Sequence, residues 1–348
     1  MTNARVLRLA AATLVLIGIG TAARAAAPPA YAIALTVPLG APDNRDYVTF
    51  DPPSGRVYVS HGTEVSVVDG RTGAMVGTIS GLGLAAAQGV AAAPALSRGY
   101  VASGNTGEVT AFDLKTLKPL GKVFAADDAD LVMLDPATRN LFVVNGHSKS
   151  VTVIDPATDK VLGTVETGGG TQGGAFDGRG KLFINVGGKG EIVRLDTAKR
   201  AIDARWPLPN CPSPRGLGYD AAGARLYASC TDGRMVVVDA NDGRVVGDLP
   251  IGRVSDGGGF DPVHKRAFSS NSEGMLSVVD AADPAKPTSL GEVRTLPGAR
   301  TMAVDPATGR VFLVMADTVA DEAPAKPGAA PSFDFKPGTV KLIALDPR

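Results

Sequence analysis

Residues Leu131–Val165 read LVMLDPATRNLFVVNGHSKSVTVIDPATDKVLGTV. Four short apolar runs, a to d in order, are separated by Asp-Pro-Ala-Thr at Asp135, Asn-Gly at Asn145 and a second Asp-Pro-Ala-Thr at Asp155. Short apolar runs bounded by these turn formers are strand and hairpin signals; a helix would show a longer pattern of period 3.6. The same unit returns as YVTFDPPSGRVYVSHGTEVSVVDGRTGAMVGTI over Tyr47–Ile79 and as GLGYDAAGARLYASCTDGRMVVVDANDGRVVGDL over Gly216–Leu249. Further copies begin near Gly89, Gly173, Gly257 and Thr301. An Asp closes every run c: Asp69, Asp113, Asp155, Asp196, Asp239, Asp280 and Asp346, at spacings of 44, 42, 41, 43, 41 and 66 residues. Another Asp closes most runs a: Asp51, Asp135, Asp177, Asp220, Asp261 and Asp305; the second unit departs from this with Ala93-Pro94.

A four-stranded unit of about 40 residues is the length of a propeller blade, so seven units predict an all-β, seven-bladed β-propeller. Blades pack on both faces, which explains runs apolar almost throughout, such as Val151-Thr152-Val153-Ile154 and Met235-Val236-Val237-Val238. Glycine gathers in run a, as at Gly257-Gly258-Gly259, where the blades would converge on the axis. The chain stops after a run c, Lys341–Asp346, and Tyr31–Val37 reads as a run d ahead of the first run a. The seventh blade is therefore expected to take its outer strand from the N-terminus, closing the ring and removing an exposed edge.

These residues resemble the YVTN-repeat, YncE-like propellers of bacteria. The resemblance rests on Val57-Tyr58-Val59-Ser60, Leu141-Phe142-Val143-Val144-Asn145 and Leu182-Phe183-Ile184-Asn185, and on the stretches Asn210–Leu217 and Pro297–Asp305. It covers residues 31–348, implies the propeller fold, and implies no particular reaction.

The first 25 residues read as a signal peptide: Arg5 and Arg8, the uncharged apolar stretch Leu9–Ile19, then Ala23-Arg24-Ala25 as an A-x-A cleavage site. The expected mature chain, from about Ala26, is one propeller domain, periplasmic or secreted, monomeric and without a membrane span. Lys plus Arg equals Asp plus Glu at 35 each, so net charge gives no reason to expect nucleic acid or an anionic surface as partner. The 43 Gly and 25 Pro suit many tight turns. Two cysteines in an exported chain point to one disulfide. Cys211 precedes run a and Cys230 closes run b of the fifth unit, so a hairpin would bring both thiols to its top end.

Candidate chemistry lies where the d-to-a and b-to-c loops share one face. Five residues before the first Asp position stand Asp46, Gln88, Asp130, Gln172, Arg215, Asp256 and Arg300, polar in every unit. One such residue per blade forms a ring at the channel mouth. The ring could hold a small polar ligand through charge-assisted hydrogen bonds, or its Asp and Arg could simply pair between blades. His61 and His147 fall in b-to-c connections of non-adjacent blades and His264 on the opposite face, so no metal set is expected; His61 and His147 read as exposed loop residues. There is no Cys-x-x-Cys-His, Gly-x-Ser-x-Gly or His-Glu-x-x-His, and a single Trp, Trp206, argues against a Trp-docked quinoprotein. The Asp residues closing run c read as turn formers. Ala316–Gly338, rich in Ala, Pro and Lys and ending near Phe333-Asp334-Phe335, interrupts the last b-to-c connection. Such composition cannot fold alone, and the two Phe rings could anchor it as a lid or partner-binding segment. The expectation is a binding protein without cofactor whose partner is a small polar ligand or an envelope protein. A lactonase-like hydrolase using the funnel, with a metal or acidic residues, is the alternative.

Overall fold

The computed structural model describes residues 30–83, 86–321 and 333–348. The signal peptide assigned to residues 1–25 lies outside them, as does the middle of the Pro-rich segment. Seven four-stranded antiparallel sheets form the blades of a β-propeller, and one further two-stranded sheet lies within the seventh. The innermost strands, a, of blades one to seven are Arg45–Asp51, Ala87–Ala93, Ala129–Leu134, Gly170–Phe176, Pro214–Asp220, Ser255–Asp261 and Met302–Val304. Ala93-Pro94, where the repeat pattern lapses, starts a single 3-10 turn, Pro94–Leu96. Among the described residues no helix is long and apolar enough to cross a membrane.

The ring closes as the two chain ends predict. The N-terminal strand Tyr31–Pro38 pairs with Lys341–Pro347, Val37 opposite Leu342, and completes blade seven. Tyr31 also donates its hydroxyl to Asp261 Oδ2 of blade six at 2.8 Å, tying this strand to the neighbouring blade.

The core lies between blades. One apolar cluster joins Phe142, Val144 and Val153 of blade three to Leu182, Ile184 and Val193 of blade four. Another joins Phe312, Val314 and Leu342 of blade seven to Val48, Val57 and Val59 of blade one. Strand b gives every blade one fully buried aromatic: Tyr58, Tyr100, Phe142, Phe183, Tyr227, Phe268 and Phe312. Burying each ring contributes roughly 1.5–3 kcal/mol.

Near the axis the strands a approach closely. A Cβ on Gly173 would stand 2.5 Å from the Arg215 carbonyl oxygen, and one on Gly89 would stand 2.7 Å from the Val132 nitrogen. Gly216 and Gly258 face each other across the blade five–six seam in the same way. Glycine in strand a is thus a packing requirement where backbone meets backbone.

Candidate functional site

The turn residues and the ring residues occupy opposite ends of strand a. At the bottom end Asp135 is fully buried, and its carboxylate accepts from Ala137 N, Thr138 N and Thr138 Oγ1 at 2.7–3.1 Å. At the exposed end of strand c, Asp69 accepts from the N–H groups of Arg71 and Thr72 and from Thr72 Oγ1, and these bonds hold its carboxyl below the ordinary value. Of the Asp residues read as turn formers, Asp69, Asp113, Asp155, Asp196, Asp239 and Asp280 accept from the backbone of the following turn, whereas Asp346 pairs with Arg310.

The top end differs through a β-bulge. In blade one, Arg45 opposes His61 and Val48 opposes Val59, so Asp46 and Tyr47 together face one residue, Ser60. The same shift takes in Gln88 and Gly89, Asp130, Gln172 and Gly173, Arg215 and Gly216, and Asp256. A bulge bends the strand and re-aims the side chain of its extra residue. Six of the seven ring residues therefore owe their direction to a repeated backbone irregularity. All seven, with Tyr47, Asp128, His147 and Thr301, line one cavity of about 370 Å³ at the top of the channel.

Hydrogen bonds from the preceding blade fix this ring from behind. Ser60 Oγ donates to the Gln88 carbonyl, Ser270 Oγ to that of Arg300, and Thr301 Oγ1 to that of Asp46. Asn185 Nδ2 donates to the carbonyls of Arg215 and Gly216 at 2.9 and 3.0 Å. Ser60, Asn185 and Ser270 sit opposite the bulge of their own blade, where a short polar side chain can reach the neighbour.

The side chains are unevenly paired. Arg300 Nε donates to Asp256 Oδ2 at 2.7 Å, an ion pair between blades seven and six. The attraction of Asp256 outweighs burial and raises the Arg300 pKa further. Arg215 Nη1 instead donates to the neutral Gln172 Oε1 at 2.8 Å, and it has no salt bridge among the described residues. Tyr47 reaches across the funnel to donate to Asp130 Oδ2 at 3.1 Å. Burial, reinforced by the negative charge of Asp46, pushes the Asp130 carboxyl up to about 8 despite the Tyr47 bond. Burial likewise pushes Asp46 up to about 6, with Arg300 opposing. At neutral pH the funnel thus holds a protonated carboxyl and a carboxylate on groups of the same type, with a guanidinium that no carboxylate neutralises.

One expectation is corrected. His61 is not an exposed loop residue: it ends strand b, is 1 % exposed, and its ring bonds Pro42 O at 2.7 Å and Ser66 Oγ at 2.8 Å. The b-to-c connection of blade one is a tight turn, which draws His61 into the sheet. His147 is exposed and stands 3.4 Å from Asp128 Oδ2 at the funnel rim. His264, on the opposite face, bonds Asp261 Oδ2 at 2.7 Å. The three histidines do not meet, and the described residues contain no group of three ligands able to hold a metal. Cys211 and Cys230 form the predicted disulfide. It ties down the segment that presents Arg215.

The Pro-rich segment begins and ends in order. Thr318–Asp321 pairs with Phe333–Phe335, and the Phe335 ring lies 3.5 Å under the Arg45 guanidinium beside the funnel. Arg45 also donates to the Gly298 carbonyl at 3.2 Å. Burial and the nearby Arg300 lower the Arg45 pKa to about 10. Arg45, Tyr47 and Asp128 were not recognisable as site residues in the sequence. Tyr47 occupies a position that is glycine in several other blades, and its repeat alignment marks it only as apolar.

No protein-family model matches the chain, and no curated protein matches it in sequence. A solved structure, the Kuenenia stuttgartiensis hydrazine synthase, is similar over 77 % of this chain and 91 % of that one, with a TM-score of 0.66 and 14 % identity. At that identity the likeness extends to the propeller fold alone.

Proposed function

We propose that the protein is an exported, YVTN-repeat-like propeller that binds a small polar molecule in its top funnel without transforming it. The observation that carries this reading is Arg215: a half-buried guanidinium, aimed by a bulge into a cavity of about 370 Å³ and bonded there only to an amide. A guanidinium left without a carboxylate is a ready site for an anionic group, which it can grip with two parallel bonds. A cavity of this size is within the usual range for small ligands. Export agrees with the disulfide, which persists in oxidising compartments. Mass spectrometry of small molecules released from protein purified from its native periplasm tests the reading. A compound carried by the native protein and lost from Arg215→Ala supports it. Identical extracts from both would contradict it, leaving an envelope protein as the partner to seek.

A hydrolase of lactonase type is favoured by a separate observation. Asp130 is raised to about 8 and Asp46 to about 6 in one cavity, and carboxyls separated in this way can serve as general acid and base. Turnover of a lactone panel that vanishes in Asp130→Asn would move the assignment to catalysis.

A further inference from the structure

Charge is distributed round the funnel in two poles. Blades one and three contribute Asp46, Asp128 and Asp130, and blade five contributes Arg215. In a closed ring of seven, blade five stands across the axis from the seam between blades one and two. Neither Asp46 nor Asp130 has a salt-bridge partner among the described residues, and Arg215 has none either. Arg300, which stands beside Asp46 at the blade seven–one seam, is already engaged by Asp256. Opposite charges therefore line one cavity without pairing: Arg215 of blade five lies three blades round the ring from Asp46 and two from Asp130. The counter-charge missing at one wall is a cation, and the one missing at the other is an anion.

Resting on the reading that this funnel binds a small molecule, we propose that its ligand is a zwitterion, an amino acid whose carboxylate is held by Arg215 and whose ammonium is held by Asp46 and Asp130. The acidic wall supplies what an ammonium needs: the Asp46 carboxylate as counter-charge, and the Asp130 carboxyl, bonded by the Tyr47 hydroxyl, as a further oxygen acceptor that ionises at higher pH. The basic wall supplies a planar fork whose Nη1 is placed by Gln172 and whose backbone is placed by Asn185 and the disulfide. Each half of the ligand brings the opposite charge to groups whose side-chain hydrogen-bond partners are neutral: Gln88 at Asp46, Tyr47 at Asp130 and Gln172 at Arg215. A purely anionic ligand would leave the acidic wall uncompensated, and a purely cationic one would leave Arg215 so.

Calorimetric titration of the full protein at neutral pH with matched probes tests this: γ-aminobutyrate, ε-aminocaproate and lysine against butyrate, caproate, butylamine and hexylamine. At least one amino acid should bind about tenfold more tightly than its matched acid and its matched amine, the factor that corresponds to one charge-assisted bond. Arg215→Gln should reduce that amino acid to the affinity of its matched amine, and Asp46→Asn to that of its matched acid. Raising the pH through about 6 and then about 8 ionises Asp46 and then Asp130, in a funnel also faced by Asp128, Asp256, His147, Tyr47, Arg300 and Arg215. Amino-acid affinity should rise over that range while caproate affinity falls. If butyrate or caproate binds as tightly as the amino acids and still depends on Arg215, the zwitterion is overturned and the anion-binding funnel stands. If no probe binds and Arg215→Gln changes nothing, both fall.

Discussion

Strand a carries an aspartate at each end in blades one, three and six, and Asp261 at the bottom of blade six and Asp130 at the top of blade three are held in opposite ways. At the bottom, Asp261 is fully buried and accepts from Tyr31 Oη, from the N–H groups of Val263 and His264, and from the His264 ring. Burial opposes its ionisation, but the bonds from Tyr31 and His264 overcome that and hold its pKa below the ordinary value. At the top, Asp130 receives one bond, from Tyr47, and its pKa is up at about 8. Asp261 has donors enough to stabilise its charged form, and the fold gains from it. Asp46 and Asp130 are held close together with too few donors, and the fold loses by them, whereas Asp256 is met by Arg300. Groups that oppose the fold yet recur at one position in a cavity are where a binding function is expected to lie.

The comparison can be broken most forcefully at the bottom. Asp261→Ala strands three or more donors in a buried corner and loosens the Tyr31 tie to blade seven; it should destabilise the protein by about 4 kcal/mol. Chemical denaturation reads this directly, and a loss below 1 kcal/mol would mean the bottom carboxylates are incidental. The disulfide comes next. Changing Cys211 and Cys230 to Ser together should lower stability by about 3 kcal/mol, the scale for a loop of this length in the chain-entropy model. It should also weaken whatever Arg215 binds, since the bridge sits at the base of the segment presenting it.

At the top the expected sign reverses. A carboxyl with a raised folded-state pKa binds its proton more tightly when folded, so stability is lost as pH rises from about 4 to about 8 and stays lost above. Asp130→Asn removes that loss and should stabilise the protein at pH 9 by on the order of 2 kcal/mol, with little change near pH 4. Melting curves across this range would show the variant flatter than the parent. The smallest effect on folding is expected at Arg215. Its bond to Gln172 is half-exposed, and Arg215→Ala should change stability by less than about 0.5 kcal/mol while weakening ligand binding by about 1.5–3 kcal/mol. A melting temperature that falls with unchanged binding would recast the ring as a set of ties between blades.

The sequence made the fold legible because the repeat is written in turn chemistry. Asp-Pro-Ala-Thr at Asp135 and Asp305 forms the turn it promises, and Tyr31–Val37 reads as an outer strand because the last unit ends one strand short. The seven ring positions could be named because each stands a fixed distance before a turn aspartate. Their direction could not be read, since a bulge inserts an extra residue without a distinct residue type of its own. The only trace is that Gln88, Gln172, Arg215 and Asp256 are each followed by glycine. Pairing of Asp and Arg between blades could be anticipated, and Arg300 with Asp256 realises it, but the side-chain ties to backbone carbonyls of the next blade could not. Asn185 and Ser270 hold ring residues from about 30 positions away in the chain, and nothing local marks them. The loop of His61 resembles that of His147 in sequence, but two residues rather than four separate the strands, so His61 is the last residue of its strand b, where Asn145 stands in blade three, and is buried there.

The most direct test is the titration of the strand-a carboxyls by carbon-detected NMR on protein labelled at aspartate. The account predicts that Asp130 titrates at about 8 and Asp46 at about 6, while Asp261 titrates below the ordinary carboxylate range. Asp46 and Asp130 titrating together with Asp261 near or below 4 would contradict it, because the two ends of the strand would then use aspartate alike.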